Sequence, residues 1–201
     1  MRPPARLYPR RARRRVLALA LSLLLFVPSC GRSGADPTVE GLRRALKRGE
    51  RLILARVLDG GKPHGMAAVV NTARGGPEMR IYERAGRRND LRLAYRSRQG
   101  GSFGNLLLLD VDADGREELV VTWAGGHLEI LEVVARGDDG AYAPLFQEAG
   151  QRVEVRRDPA GKVEFWITGR TYEEGSGQPR TYATRVYAWD PRAEAVTERR
   201  R

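Results

Sequence analysis

Cysteine and histidine are scarce in this chain of 201 residues, which contains one cysteine and two histidines. A single cysteine excludes a disulfide framework within the chain and any zinc site that is built from several cysteines. The two histidines, His64 and His127, lie far apart in the sequence, and neither has a neighbouring serine–acid pattern. They therefore indicate neither a catalytic triad nor a histidine zinc motif, and we expect a protein that is not an enzyme.

Long hydrophobic runs are also missing. The apolar segment at residues 16–27 reads VLALALSLLLFV and is interrupted only by Ser22. At about 1.5 Å per helical residue such a segment extends about 18 Å, well short of the ~30 Å hydrocarbon core of a bilayer. A basic segment followed by a short apolar one is typical of a secretory signal, which we assign to residues 1–29.

Acidic residues are absent from the first fifteen positions, which hold seven arginines. Three more arginines end the chain, so that ten of its eleven excess positive charges lie at the two ends. The body between the ends is therefore close to neutral. A high net positive charge often accompanies nucleic-acid binding, but an evenly charged body offers no basic face, and we expect no nucleic-acid partner.

The only cysteine follows the apolar segment directly. Residues 27–30 read Val-Pro-Ser-Cys, and they resemble the lipobox of bacterial lipoproteins, in which the cysteine is lipidated and becomes the new N-terminus. The resemblance implies lipidation of Cys30, a tether over residues 30–36, and an exported, membrane-anchored protein on the periplasmic or outer-membrane face. The alternative is an ordinary secretory signal with an incidental cysteine.

A short amphipathic helix is predicted after the tether, over residues 37–49. Asp36 and Pro37 suit the N-cap and the first helical position, and Gly49 suits the position after the last turn. Apolar residues at helical spacing give this helix one buried face, and basic residues occupy the other face. The basic face either stays in solvent or lies on an anionic membrane surface.

The remaining chain, residues 50–201, changes to a period of two residues. Short apolar or alternating segments are separated by clusters of Gly, Asp and Pro, which predicts an all-β antiparallel domain. The twelve predicted strands are 51–58, 66–71, 79–84, 91–96, 105–111, 118–123, 127–134, 141–147, 152–157, 162–168, 182–189 and 194–199.

These strands fall into three groups of four, with approximate repeats at residues 51–100, 101–150 and 151–199. In each group the second strand is strongly apolar, and a period of roughly 45–55 residues with four strands is typical of β-propeller blades. Three repeats are fewer than the roughly 4–8 blades of a closed propeller, so we expect a small propeller-like array. A β-sandwich or meander is the alternative.

The sharpest motif begins with Phe103 and Gly104 and continues as DVDADGREELVV over residues 110–121. It resembles the FG-GAP/VCBS repeat of integrin-type β-propellers over residues 103–125. The resemblance implies a propeller-blade fold for this repeat. The corresponding loops of the other two repeats keep only a turn, so one site of this kind is expected in the chain.

The acidic loop inside this motif suits the chemistry of Ca²⁺, which takes about six to eight oxygen ligands. The predicted ligands are the side chains of Asp110, Asp112, Asp114 and Glu118 and the carbonyl group of Arg116. Gly115 allows the sharp turn among them. An EF-hand would need an acid where Val121 stands, so a calcium turn between two strands is predicted instead. The alternative is a metal-free hairpin loop that is held by Asx-type side-chain bonds.

These features together predict an exported, lipid-anchored repeat protein with one structural Ca²⁺ ion, which acts as a binding or scaffolding module for a protein or glycan partner. One alternative is a surface carbohydrate-binding module or hydrolase that uses the central face of the repeats. Another is a propeller fragment that is completed by self-association, because open sheet edges invite pairing. The irregular link at 172–180 is the preferred interaction loop.

Overall fold

The computed structural model describes residues 39–59, 63–73, 75–85, 90–97, 101–172 and 179–199. The predicted signal peptide, Cys30, the tether and the first two residues of the predicted helix lie outside these ranges, as do residues 173–178 of the predicted interaction loop. Among the described residues, no helix is both long enough and apolar enough to cross a membrane.

One helix precedes twelve strands in the described chain. Helix α1 spans Val39–Ala45. Strands β1–β4 span Arg51–Asp59, Pro63–Asn71, Pro77–Ala85 and Asp90–Arg96. Strands β5–β8 span Ser102–Leu109, Glu118–Gly125, Leu128–Arg136 and Tyr142–Gly150. Strands β9–β12 span Arg152–Arg157, Val163–Tyr172, Pro179–Asp190 and Ala195–Glu198.

The strands form three four-stranded sheets, each made of consecutive strands: sheet A from β1–β4, sheet B from β5–β8 and sheet C from β9–β12. Neighbouring strands pair antiparallel throughout. Each sheet is thus a four-stranded meander of the kind that forms a propeller blade. The predicted fold, an all-β array of three blade-like repeats after one short helix, is confirmed.

Three hydrophobic clusters join the helix and the sheets in the order α1, A, B, C. The first packs Leu42 of α1 on one face of sheet A. The second joins the other face of sheet A to sheet B and includes Met79 and Trp123. The third joins the opposite face of sheet B to sheet C and includes Val120 and Phe165. Sheet B is therefore the middle layer, with both faces covered.

The position of each sheet explains its sequence pattern. In β6, Leu119 and Val121 face sheet A while Val120 faces sheet C, so all three are buried and the run is continuously apolar. In β10, Phe165 packs against sheet B, whereas Trp166 is only half-buried on the outer face of sheet C. A strand with one covered face alternates, and a strand with two covered faces does not.

Sheets A and B also share their irregularities. In both of these sheets the first strand contains one extra, bulged residue, which is Ile53 in β1 and Gly104 in β5. A second bulge occurs in the fourth strand, at Ala94 in β4 and at Leu145 in β8. Both pairs lie 51 residues apart in the sequence. Because bulges bend and twist a strand at a defined place, their equal spacing indicates that sheets A and B are repeats of one unit.

Candidate functional site

The acidic loop connects β5 to β6 and is shaped by two residues in left-handed backbone conformations. Ala113 has a φ of 60° and Gly115 a φ of 84°. Gly115 suits this conformation because it has no Cβ. The turn brings Asp110, which directly follows β5, back toward Glu118, which begins β6.

Three of the four predicted carboxylates converge in this loop. One oxygen from each of Asp110, Asp112 and Glu118 lies within 4.8 Å of the other two. Glu118 is buried, and the two aspartates are half-buried. Carboxylate oxygens at this spacing are the ligands that a hard divalent cation prefers, so this acidic triad could hold such a cation.

Backbone amides hold the acidic triad in place. The Val111 N–H donates to Glu118 Oε2 at 2.7 Å, and the Gly115 N–H donates to Asp110 Oδ2 at 3.2 Å. Asp112 Oδ1 accepts the N–H of the residue two positions later at 3.1 Å. The other oxygen of Asp110, Oδ1, is buried and has no hydrogen-bond partner among the described residues. A buried acceptor without a donor is unfavourable, and a cation would satisfy it.

The electrostatics of the triad also favour a cation. Burial, reinforced by the charge of Asp112 and the other loop acids, raises the pKa of Glu118 from 4.5 to about 7. Burial and the neighbouring acids Asp114 and Asp110 likewise raise the pKa of Asp112. These carboxylates resist ionisation because they are partly desolvated and close together. A bound divalent cation would remove that cost.

Asp114 and Arg116 lie outside the acidic triad in the described geometry. Asp114 Oδ1 accepts the Arg116 N–H at 2.8 Å, and its Oδ2 lies 3.6 Å from Arg116 Nε. Arg116 also approaches Asp138 in the turn between β7 and β8, at 3.8 Å. Ligation by the Asp114 side chain and by the Arg116 carbonyl therefore stays a prediction.

Phe103 and Gly104, which open the motif, shape the strand that leads into the loop. The Phe103 ring packs edge-on against Trp123, with 6.1 Å between ring centroids. Gly104 is the bulged residue of β5, and a Cβ added there would lie 2.7 Å from Thr122 Oγ1 and 3.0 Å from its carbonyl oxygen. Glycine is thus required by the close approach of β6.

A buried carboxylate at the interface of sheets A and B was not singled out from the sequence. Glu132, on β7, is 2% exposed. It accepts hydrogen bonds from the hydroxyl groups of Tyr95 and Ser97, both at 2.8 Å. The sequence signal is weak, because β7 also contains the charged residues Glu129 and Arg136, and it does not reveal the partners of Glu132. Its role here is to join two sheets.

A cavity between sheets B and C is not indicated by the sequence. It has a volume of about 510 Å³ and is lined by His127, Gln151, Arg170 and Tyr182. His127 and Gln151 lie in the connections β6–β7 and β8–β9, whereas Arg170 and Tyr182 are paired residues of β10 and β11. No single spacing in the sequence links all four. From the sequence, His127 is only a residue at the beginning of a strand. We refer to this feature as the B–C cavity.

Comparisons with protein-family models, with curated proteins and with solved structures found no match to this chain. Its function is therefore argued from the residues and geometry of its own sites.

Proposed function

We propose that this chain is an exported, lipid-anchored β-repeat protein of the FG-GAP/VCBS type that holds one structural Ca²⁺ ion and acts as a non-enzymatic binding or scaffolding module. The convergence of Asp110, Asp112 and Glu118 in one interstrand loop is the observation that carries the metal proposal. The basic and apolar N-terminal segment and the Val-Pro-Ser-Cys tetrapeptide support export and anchoring.

The ion would act on stability because its loop is tied to the core. Val111 is 5% exposed, packs in the cluster between sheets B and C, and donates its N–H to Glu118. The residue after Glu118, Leu119, packs in the cluster between sheets A and B. A cation that fixes the ends of β5 and β6 would thus stabilise the middle layer of the array.

Thermal unfolding with Ca²⁺ and with EGTA tests the metal proposal. A ligand at about 100 times its Kd adds about 2.7 kcal/mol to the free energy of unfolding. At about 2–4 °C per kcal/mol for a domain of this size, we expect Tm to rise by roughly 5–10 °C. A Tm that is unchanged by millimolar-range Ca²⁺ would refute the site.

Matched variants locate the effect in the acidic triad. Asp112→Asn keeps the size and the acceptor oxygen of the side chain but removes its charge, so most of the Ca²⁺-dependent Tm shift should disappear. Asp139→Asn is the control, because Asp139 lies in the turn between β7 and β8 and accepts the Ala141 N–H at 2.9 Å. The proposal requires that the control keep the full shift.

The lipid anchor is tested in cells with a palmitate analogue that labels acylated proteins. The wild-type protein should be labelled and should sediment with membranes, whereas Cys30→Ser should lose both properties. An unlabelled wild-type protein, or labelling that survives the substitution, contradicts the anchor without affecting the metal proposal.

Completion of the array by self-association is the alternative scaffolding mode. Helix α1 covers the outer face of sheet A through Leu42, so a further sheet would have to add to the outer face of sheet C. Light scattering of the purified full chain distinguishes the two modes, since a monomeric mass at working concentration removes self-association.

A further inference from the structure

The B–C cavity lies at the end of the array opposite to the acidic loop. The loop joins the start of β6 to β5, whereas His127 follows the other end of β6. Gln151 connects β8 to β9, and Arg170 and Tyr182 lie near the end of the β10–β11 hairpin. Two connections and one strand pair thus place four polar or aromatic side chains around one space of about 510 Å³. This volume is within the range of roughly 300–1,000 Å³ that is usual for small-molecule sites.

Gln151 brings to this cavity a side-chain acceptor that has no donor among the described residues. Its backbone N–H donates to the carbonyl oxygen of Thr168 at 2.7 Å, which fixes its position between sheets B and C. Its side-chain Oε1 is buried and has no hydrogen-bond partner among the described residues. Buried acceptors are normally paired, so a hydroxyl group of a ligand is a suitable donor.

Arg170 and Tyr182 form the open wall of the cavity. The Arg170 guanidinium carbon lies 5.9 Å from the centre of the Tyr182 ring, and Tyr182 is 58% exposed. A hydrogen bond from Arg170, together with its positive charge, lowers the pKa of Tyr182, and a side-chain hydrogen bond with Gln151 adds a smaller effect in the same direction. The wall therefore combines a positive charge with an aromatic ring that is largely open to solvent.

We propose that the B–C cavity binds a saccharide that carries a carboxylate group. Arg170 can hold the carboxylate through paired N–H groups, and the exposed ring of Tyr182 offers a surface for the apolar face of a sugar. Gln151 Oε1 accepts from a sugar hydroxyl, and His127 closes the rim. The inference rests on the proposed binding role and gives that role a ligand class.

His127 makes the test specific to this cavity. The chain has only two histidines, so the imidazole Cε1–Hε1 signals in an NMR spectrum are few, and the spectrum of His127→Gln identifies the signal of interest. The full chain is titrated at physiological salt with digalacturonate, with neutral galactobiose, and with inorganic phosphate. We expect a saturable shift of the His127 signal with digalacturonate and binding at least about tenfold weaker for the other two probes.

Three substitutions at two arginines separate a built site from general charge attraction. Arg170→Gln should weaken digalacturonate binding by about tenfold or more, and Arg170→Lys should restore only part of it because lysine lacks the planar fork. Arg56→Gln, at an exposed position on β1, is the control and should leave the affinity unchanged. Because Arg170 is exposed, its substitution spares the hydrophobic core, and Tm measurements confirm that the variants fold.

Four outcomes overturn the proposal: no shift of the His127 signal, equal binding of the neutral sugar, equal binding of phosphate, or undiminished binding by Arg170→Gln. None of these results bears on the Ca²⁺-dependent Tm or on the labelling of Cys30. Failure of the saccharide proposal is therefore distinguishable from failure of the proposed function.

Discussion

Glu118 should destabilise the metal-free protein at neutral pH. Its side chain is buried, and its pKa is raised from 4.5 to about 7, chiefly by burial and then by Asp112 and the other loop acids. Between these two values the folded protein keeps a proton that the unfolded chain releases. Stability therefore falls as pH rises through this window, the opposite of the behaviour of a carboxylate in a salt bridge.

The magnitude follows from the two pKa values. The difference between 4.5 and about 7 corresponds to about 3 kcal/mol, at about 1.4 kcal/mol per pKa unit. Glu118→Gln removes the charge and keeps an oxygen that can accept the Val111 N–H, which lies 2.7 Å away. In EGTA the variant should therefore match the wild type near about pH 4 and exceed its stability by up to about 3 kcal/mol near about pH 8. With Ca²⁺ the order should reverse, because the variant lacks a charged ligand.

Urea unfolding of both proteins in EGTA at the two pH values provides the assay. Glu117→Gln is the control, because Glu117 is adjacent in sequence but exposed, and its substitution should change the free energy of unfolding far less than Glu118→Gln does near about pH 8. The reasoning is refuted if the difference in unfolding free energy between the wild type and Glu118→Gln does not change with pH.

Three further substitutions test the packing of the sheets, each by urea unfolding. Gly104→Ala should lower the free energy of unfolding by about 1–3 kcal/mol, because its added methyl group would lie 2.7 Å from the side chain of Thr122 on β6. Gly169→Ala is the control and should change little, because a methyl group added there would meet no atom within 4 Å. Equal effects of the two substitutions would contradict the bulge argument. Glu132→Ala should cost about 2–4 kcal/mol, since it removes the acceptor of two interface hydroxyl groups, and a cost near zero would contradict this role. A hydrogen bond from Arg80 lowers the pKa of Glu50 to about 2, so this pair stabilises the fold above the ordinary pKa of 4.5 and loses that effect as pH falls toward about 2. Glu50→Gln should therefore destabilise by up to about 3 kcal/mol at neutral pH and by little near about pH 2, and a pH-independent loss would refute the linkage.

The fold follows closely from the sequence because its signals are local. Alternating segments between clusters of Gly, Asp and Pro predict all twelve strands, and their grouping in fours predicts the three sheets. Most strand boundaries differ by one to three residues from the prediction. The largest extension is in the β10–β11 hairpin, where both strands continue toward the predicted loop to Tyr172 and from Pro179.

The sites are less predictable because they depend on how separate parts of the chain meet. The spacing of the acidic loop predicts four carboxylates around one point, yet Asp114 bonds to Arg116 because that amide is within reach of its side chain. The B–C cavity is lined by residues of two connections and of the β10–β11 pair, so it depends on the packing of sheet B against sheet C. The partners of Glu132 are equally hard to predict from the sequence, because its hydroxyl donors, Tyr95 and Ser97, lie in and directly after β4 of sheet A.

The outer faces of sheets A and C also explain why this array of three sheets needs no further sheet to cover it. On one side, α1 buries Leu42 against sheet A. On the other side, the outer face of sheet C carries paired polar groups: Trp166 Nε1–H and Arg199 donate to Glu164 at 2.9 and 2.6 Å, and Arg156 lies 4.2 Å from the centre of the Trp166 ring. A repeat array needs terminal faces that tolerate solvent. A further sheet packed on sheet C would have to desolvate these charges, so the geometry favours a three-sheet unit over one that adds a fourth sheet at this face.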